Sequence, residues 1–325
     1  METENRYKDY RSIYKLKPWI REKDLVISTL CMNRCEGAGK VFENLSKQVN
    51  YDHCLKPEHP FNKLSHNPAE WSREYLSKYP QHIDYKLLCD NPSEWACKIL
   101  KRHRKDEIIW KGLVQNPTEW AGKMIKNTAK SSYFFWDTYY LYSNPSPWVY
   151  DVIIKYSLEP VWYILSENPS EWAREMLMKD PQRITFSHLS LNPSEWAREL
   201  LIKNPQKIDY NYLCLNPAKW AWELLEAKSA CNLLDNNKYS IFWTWLCRNP
   251  SDWVVEVLEK NKFQINWYWL SQNPHIFEYD YAFIRERFWN TIGEELMQVC
   301  FHPRNLGKFS GWGYDSGMES GFESD

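Results

Sequence analysis

The stretch that decides the fold is Leu189-Ser190-Leu191-Asn192-Pro193-Ser194-Glu195-Trp196-Ala197-Arg198-Glu199-Leu200-Leu201-Ile202-Lys203-Asn204-Pro205, continuing through Ile208-Asp209-Tyr210-Asn211-Tyr212-Leu213. Asn is a favoured N-cap, because its side-chain oxygen accepts from an orphan backbone N–H. Pro next to it fits the first helical position, where its missing N–H is not needed. Glu195, three residues after Asn192, is placed to reach back as in a capping box. Trp196, Ala197, Leu200 and Leu201 then form one stripe at helical spacing, and Arg198-Glu199 are read as facing water. Pro205 ends the helix. Asp209 is read as capping a second, shorter helix, in which Tyr210 and Leu213 share a face. The unit predicted is a helix of about 11 to 12 residues plus a helix of one to two turns.

The unit recurs. With Asn192 as position 0, Asn-Pro returns in register at Asn67, Asn91, Asn116, Asn144, Asn168, Asn216, Asn249 and Asn273. The nine copies are spaced by 24, 25, 28, 24, 24, 24, 33 and 24 residues. Position 4 is Trp in every copy but the last, which has Phe277, and position −3 is always Leu. Position −6 is aromatic except at Thr138. One such pair of helices cannot bury its own apolar face, whereas stacked neighbours can. The fold class expected is therefore all-α, an α-solenoid of about nine two-helix repeats of about 24 residues. Burying one Trp removes roughly 150–250 Å² from water. At about 25 cal/mol per Å² that is several kcal/mol, enough to account for the recurrence of Trp by packing alone.

The rest of the chain gives four expected regions: residues 1–60 as an N-terminal cap or degenerate repeat, 61–290 as the array, 291–306 as a C-terminal capping segment and 307–325 as a flexible acidic tail. Leu30-Cys31-Met32-Asn33 matches the junction Leu213-Cys214-Leu215-Asn216, but Arg34 replaces Pro. Insertions fall near Asn127 to Phe134 and near Glu226 to Tyr239, and are read as loops on one face. Lysines and arginines number 41 against 42 aspartates and glutamates, a formal net charge of −1, which leaves no strong field to attract nucleic acid or an anionic membrane. No stretch is apolar enough to span a bilayer, and Met1 to Ile20 lacks a signal-peptide core. Nine cysteines, an odd number, without such a signal point to free thiols in an intracellular, reducing compartment.

Motifs for nucleotide binding, serine nucleophiles and zinc proteases are absent from the sequence. Cys31, Cys35, His53, Cys54 and His59 contain residues of the kind zinc uses, but the spacing is loose, and Cys31 sits at a repeat position shared with Cys89, Cys214 and Cys247. The run Lys101-Arg102-His103-Arg104-Lys105 reads as a solvated helix end. No catalytic residue, cofactor or metal is therefore assigned.

Leu165-Ser166-Glu167-Asn168-Pro169, Lys203-Asn204-Pro205, Ile208-Asp209-Tyr210 and the later His302-Pro303-Arg304 resemble the short Asn-Pro helical repeat proteins of giant viruses, the nucleocytoplasmic large DNA viruses. The resemblance covers about residues 60 to 310. The Glu-Trp after Asn-Pro departs from the smaller aliphatic residues of many members. The resemblance implies a viral origin and a helical repeat fold, hence host cytoplasm or the virus particle as location, and it implies no chemistry.

The binding candidates are at position −4, beside the core aromatic and Leu: Lys63, Leu87, Gly112, Tyr140, Ile164, His188, Tyr212, Trp245 and Trp269. It varies between copies and turns large and aromatic in the later ones. Tyr140, Tyr212, Trp245 and Trp269 are the candidate partner-binding residues. The function expected is a non-catalytic scaffold for protein–protein interaction. The alternative is a single-stranded nucleic-acid binder that uses exposed aromatics of successive repeats as stacking platforms.

Overall fold

The computed structural model describes residues 13–48, 60–103, 112–128, 138–228, 240–262, 265–300 and 302. Among these residues the chain is mostly helical, as expected for an all-α protein. Strand is confined to Tyr14–Leu16 and Phe277–Tyr279, which pair as a two-stranded sheet. No described helix is long and apolar enough to cross a membrane. The chain divides into a large unit, Leu16–Glu278, and a smaller one made of Met1–Lys15 with Tyr279–Asp325. In the smaller unit Tyr14 stacks on Tyr279 at 5.0 Å, and the helices Tyr281–Phe288 and Glu294–Cys300 are joined by one π turn. The tail 307–325, both insertions apart from their first residues, the end of the basic run, and His53, Cys54 and His59 lie outside the described residues.

In the large unit the long helices begin later than the Asn-Pro signal predicts. They run, for example, from Glu70 to Lys78, Glu171 to Lys179 and Glu195 to Lys203, nine residues each. The N-cap is the residue at position 2: the hydroxyls of Ser93, Ser170 and Ser194 accept from the N–H groups of Ala96, Ala173 and Ala197. Glu at position 3 does not reach back. It pairs forward with a cation one turn on, Glu171 with Arg174 at 2.8 Å and Glu119 with Lys123 at 3.4 Å. Such exposed pairs contribute about 0.3–0.5 kcal/mol each. The short helices follow expectation more closely. Asp84 and Asp209 accept from two backbone N–H groups each at the starts of Tyr85–Leu88 and Tyr210–Leu213. Between the two helix types, Pro80, Pro181 and Pro205 each open a single 3₁₀ turn.

Asn273 caps the 3₁₀ turn Pro274–Ile276 as the sequence suggests, but in the copies with a long helix the asparagine at position 0 does something other than capping. Its Oδ1 accepts from the N–H two residues on, as in Asn192 with Ser194 at 3.0 Å. Its Nδ2 donates to two carbonyls of the preceding repeat, for Asn192 those of Ser166 at 3.0 Å and Asn168 at 2.9 Å. Asn67, Asn91, Asn116, Asn144, Asn168, Asn216 and Asn249 repeat this geometry, each reaching back to positions −2 and 0. Asn273 reaches the carbonyls of Asn249 and Ser251 instead. All are at most 2% exposed, so every rung is a buried amide with donor and acceptor both used. The 33-residue interval before Asn249 leaves the rung unchanged.

Position −2 adds a second rung. Ser166, Ser190 and Ser271 donate their hydroxyls to the carbonyl four residues back. They also accept from a backbone N–H of the next repeat, as Ser190 does from Asp209 at 3.1 Å. Cys89 and Cys214 make the same backward bond through sulfur. This explains why Ser and Cys alternate at one position, and it makes these thiols structural. Burial pushes the Cys89 thiol up to about 12 and Cys247 to about 11, and raises Cys31 and Cys214 as well. The four thiols should therefore resist a thiol reagent at pH 8 until the chain unfolds. Unfolded thiols ionise near pH 8.5. With folded values raised, their contribution is complete below about pH 8.5 and is lost as pH rises toward 11 to 12. Cys214→Ser, which keeps a donor in place, should shift stability by no more than about 1 kcal/mol in urea titration.

The two rung types meet at Asn33. Its Oδ1 accepts from Cys35 N–H at 2.9 Å, and its carbonyl accepts from Asn67 at 2.8 Å, although Arg34 stands where Pro is elsewhere. Its Nδ2 donates to the carbonyls of Ser271 at 3.0 Å and Asn273 at 2.8 Å, 238 and 240 residues away in the chain. Val26 N–H, at position −7 of this copy, donates to Ser271 Oγ at 2.9 Å. The first and last copies are thus joined by the same bonds that join neighbours. Within Leu16–Glu278 the ladder has ten asparagines and returns to its start.

The core lies between the two helix types. Leu at position −3 is fully buried in every copy, and position 4 is at most 8% exposed at Trp71, Trp148, Trp172, Trp196, Trp220 and Trp253. Four of these indoles or their equivalents also donate Nε1–H to the carbonyl of the preceding copy's proline: Trp95 to Pro68, Trp172 to Pro145, Trp220 to Pro193 and Trp253 to Pro217. Position 6 is partly exposed where it is Arg, as at Arg174 and Arg198, but where it is aromatic it covers the next copy's Trp. Tyr150 stacks on Trp172 at 5.8 Å and Trp222 packs on Trp253 at 5.5 Å. At Gly39 and Gly122 the indole instead lies against the helix itself, and an added Cβ would come within 2.7 Å of Trp71 or Trp148.

Candidate functional site

Short helices of four residues have few side chains to offer. Position −3 is buried in every copy, and position −6 ranges from buried at Phe61 to exposed at Tyr85, which leaves −5 and −4 as the other positions that can reach solvent. The structure places the four candidates as follows. Tyr140 is 37% exposed, and Tyr212, Trp245 and Trp269 are half-buried. Tyr212 and Trp245 touch, with ring centroids 5.5 Å apart. Tyr140 contacts Tyr139 edge-on at 5.1 Å, and Trp269 contacts Tyr268 at 5.0 Å and lies under Arg248 at 4.8 Å.

Further side chains join them. Tyr163 and His188 are 5.0 Å apart, His188 and Tyr212 5.5 Å, and Tyr139 and Tyr163 6.5 Å. The result is a row of rings over five consecutive repeats: Tyr139, Tyr163, His188, Tyr212 and Trp245. Variation at position −4 does not point to Tyr139, Tyr163 or Tyr268, because all three stand at −5. The signal was present, since a tyrosine recurs at −5 in three copies. The row uses −5 on the six-residue helices Thr138–Ser143 and Trp162–Glu167, and −4 on the four-residue helices Phe186–Leu189 and Tyr210–Leu213 and on the nine-residue helix Ser240–Arg248. Ile164, at −4 in one of the longer helices, is buried at 1% exposure.

The polar groups beside the row are sparse. His188 Nδ1–H donates to the Glu167 carboxylate. Lys63 Nζ stands 5.9 Å from the Tyr268 ring centroid. In the copies around Asn249, Asn273, Asn33 and Asn67, no carboxylate occupies position −1, −4 or −5, while Arg248 and Lys63 do occupy such positions.

Two other places bring charged or titratable groups together. A cleft of about 320 Å³ lies between the helices Glu119–Thr128 and Pro147–Tyr156, lined by Gly122 and by one edge of the otherwise buried Trp148. Its charges close on each other, Lys126 with Asp151 at 2.8 Å and Lys123 with Glu119. His66 and Asp90 are 3.9 Å apart. Burial raises the Asp90 carboxyl to about 6, and burial with the nearby Arg34 lowers His66. Among the described residues no three His, Cys, Asp or Glu side chains gather as a metal site would require. Comparison with protein-family models, curated proteins and solved structures returns no match to this chain.

Proposed function

We propose that the chain is an α-solenoid, closed on itself through Asn33, that acts as a non-catalytic scaffold for protein–protein interaction, and that it is akin to the Asn-Pro repeat proteins of giant viruses. One observation supports this reading above the others. Positions −3, −2 and 0 are buried in every copy, and position 4 is buried or half-buried throughout; packing and rungs account for them. The side chains that differ between copies and still reach solvent in a line are aromatic. Aromatic residues with a polar tip are those most enriched where proteins bind one another. The near-zero formal charge of −1 suits a protein partner better than a polyanion.

The test is a comparison of native chain with a Tyr212→Ala/Trp245→Ala variant in affinity purification from the source cells. The expected result is a protein partner retained by the native chain and lost by the variant, with both melting alike. A partner set identical for both would remove the row from the proposal, and no protein partner for either would end the scaffold reading.

A further inference from the structure

We infer that the aromatic row binds an extended, proline-rich peptide segment with acidic residues at the end nearest Trp269; this rests on the protein-interaction reading above. The first reason is the spacing of the rings. From Tyr163 through His188 and Tyr212 to Trp245 the centroids are 5.0 to 5.5 Å apart and the planes are tilted by 41° to 65°. A nucleobase held between two rings needs both its faces in contact, a gap of roughly 7 Å. Rings already in contact leave no such slot, which argues against a stacked strand.

The second reason is what the row presents. Tyrosine hydroxyls and indole N–H groups are donors set among aromatic faces, and the nearby acceptor, Glu167, is held by His188. A helical partner would offer few free carbonyls, since its own are bonded internally. A polyproline II segment has no internal hydrogen bonds, so its carbonyls are open, and its prolines bring apolar rings and no N–H. Aromatic-lined surfaces recognise such segments for this reason. One turn of that helix advances about 9 Å, close to two ring steps of the row. The third reason is charge. Arg248 and Lys63 flank Trp269 and Tyr268. With no carboxylate at the neighbouring −1, −4 and −5 positions, that end favours an acidic residue.

The probes are short fluorescein-labelled peptides, added to the full chain and followed by anisotropy: polyproline ending in glutamates, glycine-serine with the same glutamates, polyproline ending in lysines, and an amphipathic helical peptide. An oligo(dT) strand is the fifth. The acidic polyproline should bind, with the glycine-serine peptide about tenfold weaker or worse. Tyr212→Ala/Trp245→Ala should lose binding without a change in melting temperature. Arg248→Glu, on an exposed side chain, should weaken the glutamate-ended peptide and favour the lysine-ended one, so the idea stays testable if the double variant fails to fold. Equal binding of the glycine-serine peptide, or no binding of polyproline, overturns the inference. If the helical peptide alone binds in a row-dependent way, the scaffold reading survives without this one. Salt-sensitive binding of oligo(dT) that the double variant loses would overturn both.

Discussion

Asn192→Asp should destabilise the chain by roughly 3–6 kcal/mol, a large part of the 5–15 kcal/mol that a folded domain has in total. The substitution is nearly isosteric and keeps the acceptor facing Ser194 N–H. It replaces the donor with an oxygen 2.9 to 3.0 Å from two carbonyl oxygens. Each carbonyl then lacks a partner in a site that is 0% exposed, at about 1–3 kcal/mol apiece. The carboxylate itself is desolvated and meets only negative ends of dipoles. Its folded pKa must therefore rise above the unfolded 3.9 or so. A protonated acid can donate once, so part of the loss should be regained below about pH 4 and should reappear as the pH rises. Urea midpoints at neutral and acid pH measure both effects. Asn33→Asp is the decisive companion. If the ladder closes in solution, Asn33 faces the carbonyls of Ser271 and Asn273, and its loss should match that at Asn192. If the ladder ends there, Asn33 faces water and the change should stay within about 0.5 kcal/mol.

Trp196→Ala should lower stability by about 3–5 kcal/mol, as for other buried aromatics truncated to alanine. Trp196 is 8% exposed and sits between neighbouring copies, so the cavity cannot close without moving two helices. A gentler substitution tests the account of what each indole does. Trp220 donates Nε1–H to Pro193 at 3.3 Å, whereas Trp196 Nε1 has no partner. Trp220→Phe should therefore cost about 1 kcal/mol more than Trp196→Phe. Equal costs by chemical denaturation would mean that the indole–proline bond contributes nothing.

The sequence was most informative where a residue's role is local. Asp84 and Asp209 cap as their type and position suggest, and Leu213 with Tyr210 pack as a spacing of three requires. Asn192 misled because its Oδ1 does accept from a nearby backbone N–H, as a cap would, while the bridge is made by its Nδ2. The distinction was nevertheless there to be read. A capping position accepts Asp, Thr or Asn in turn, as Asp209, Thr185 and Asn266 do at position −7. Position 0 is Asn in all nine Asn-Pro copies, and only an amide both donates and accepts at that reach. Asn33 was legible as a repeat junction despite Arg34, but closure was not, because nothing local ties Asn33 to Asn273, 240 residues away. The aromatic row was half legible. Tyr212 and Trp245 followed from variation at position −4, whereas Tyr139 and Tyr163 stand at −5 on six-residue helices whose length the sequence did not show.

The return of the ladder to Asn33 bears on how such a protein can change over generations. An open stack of helices gains or loses a member by duplication or deletion of a coding segment, and its ends simply move. In the closed array proposed above, ten members joined head to tail share one full revolution among them. An eleventh would force every junction to turn less, and the loss of one would force every junction to turn more. Copy number is then held by angle, and variation is left to side chains and to the lengths of the connections, as the 28- and 33-residue intervals show.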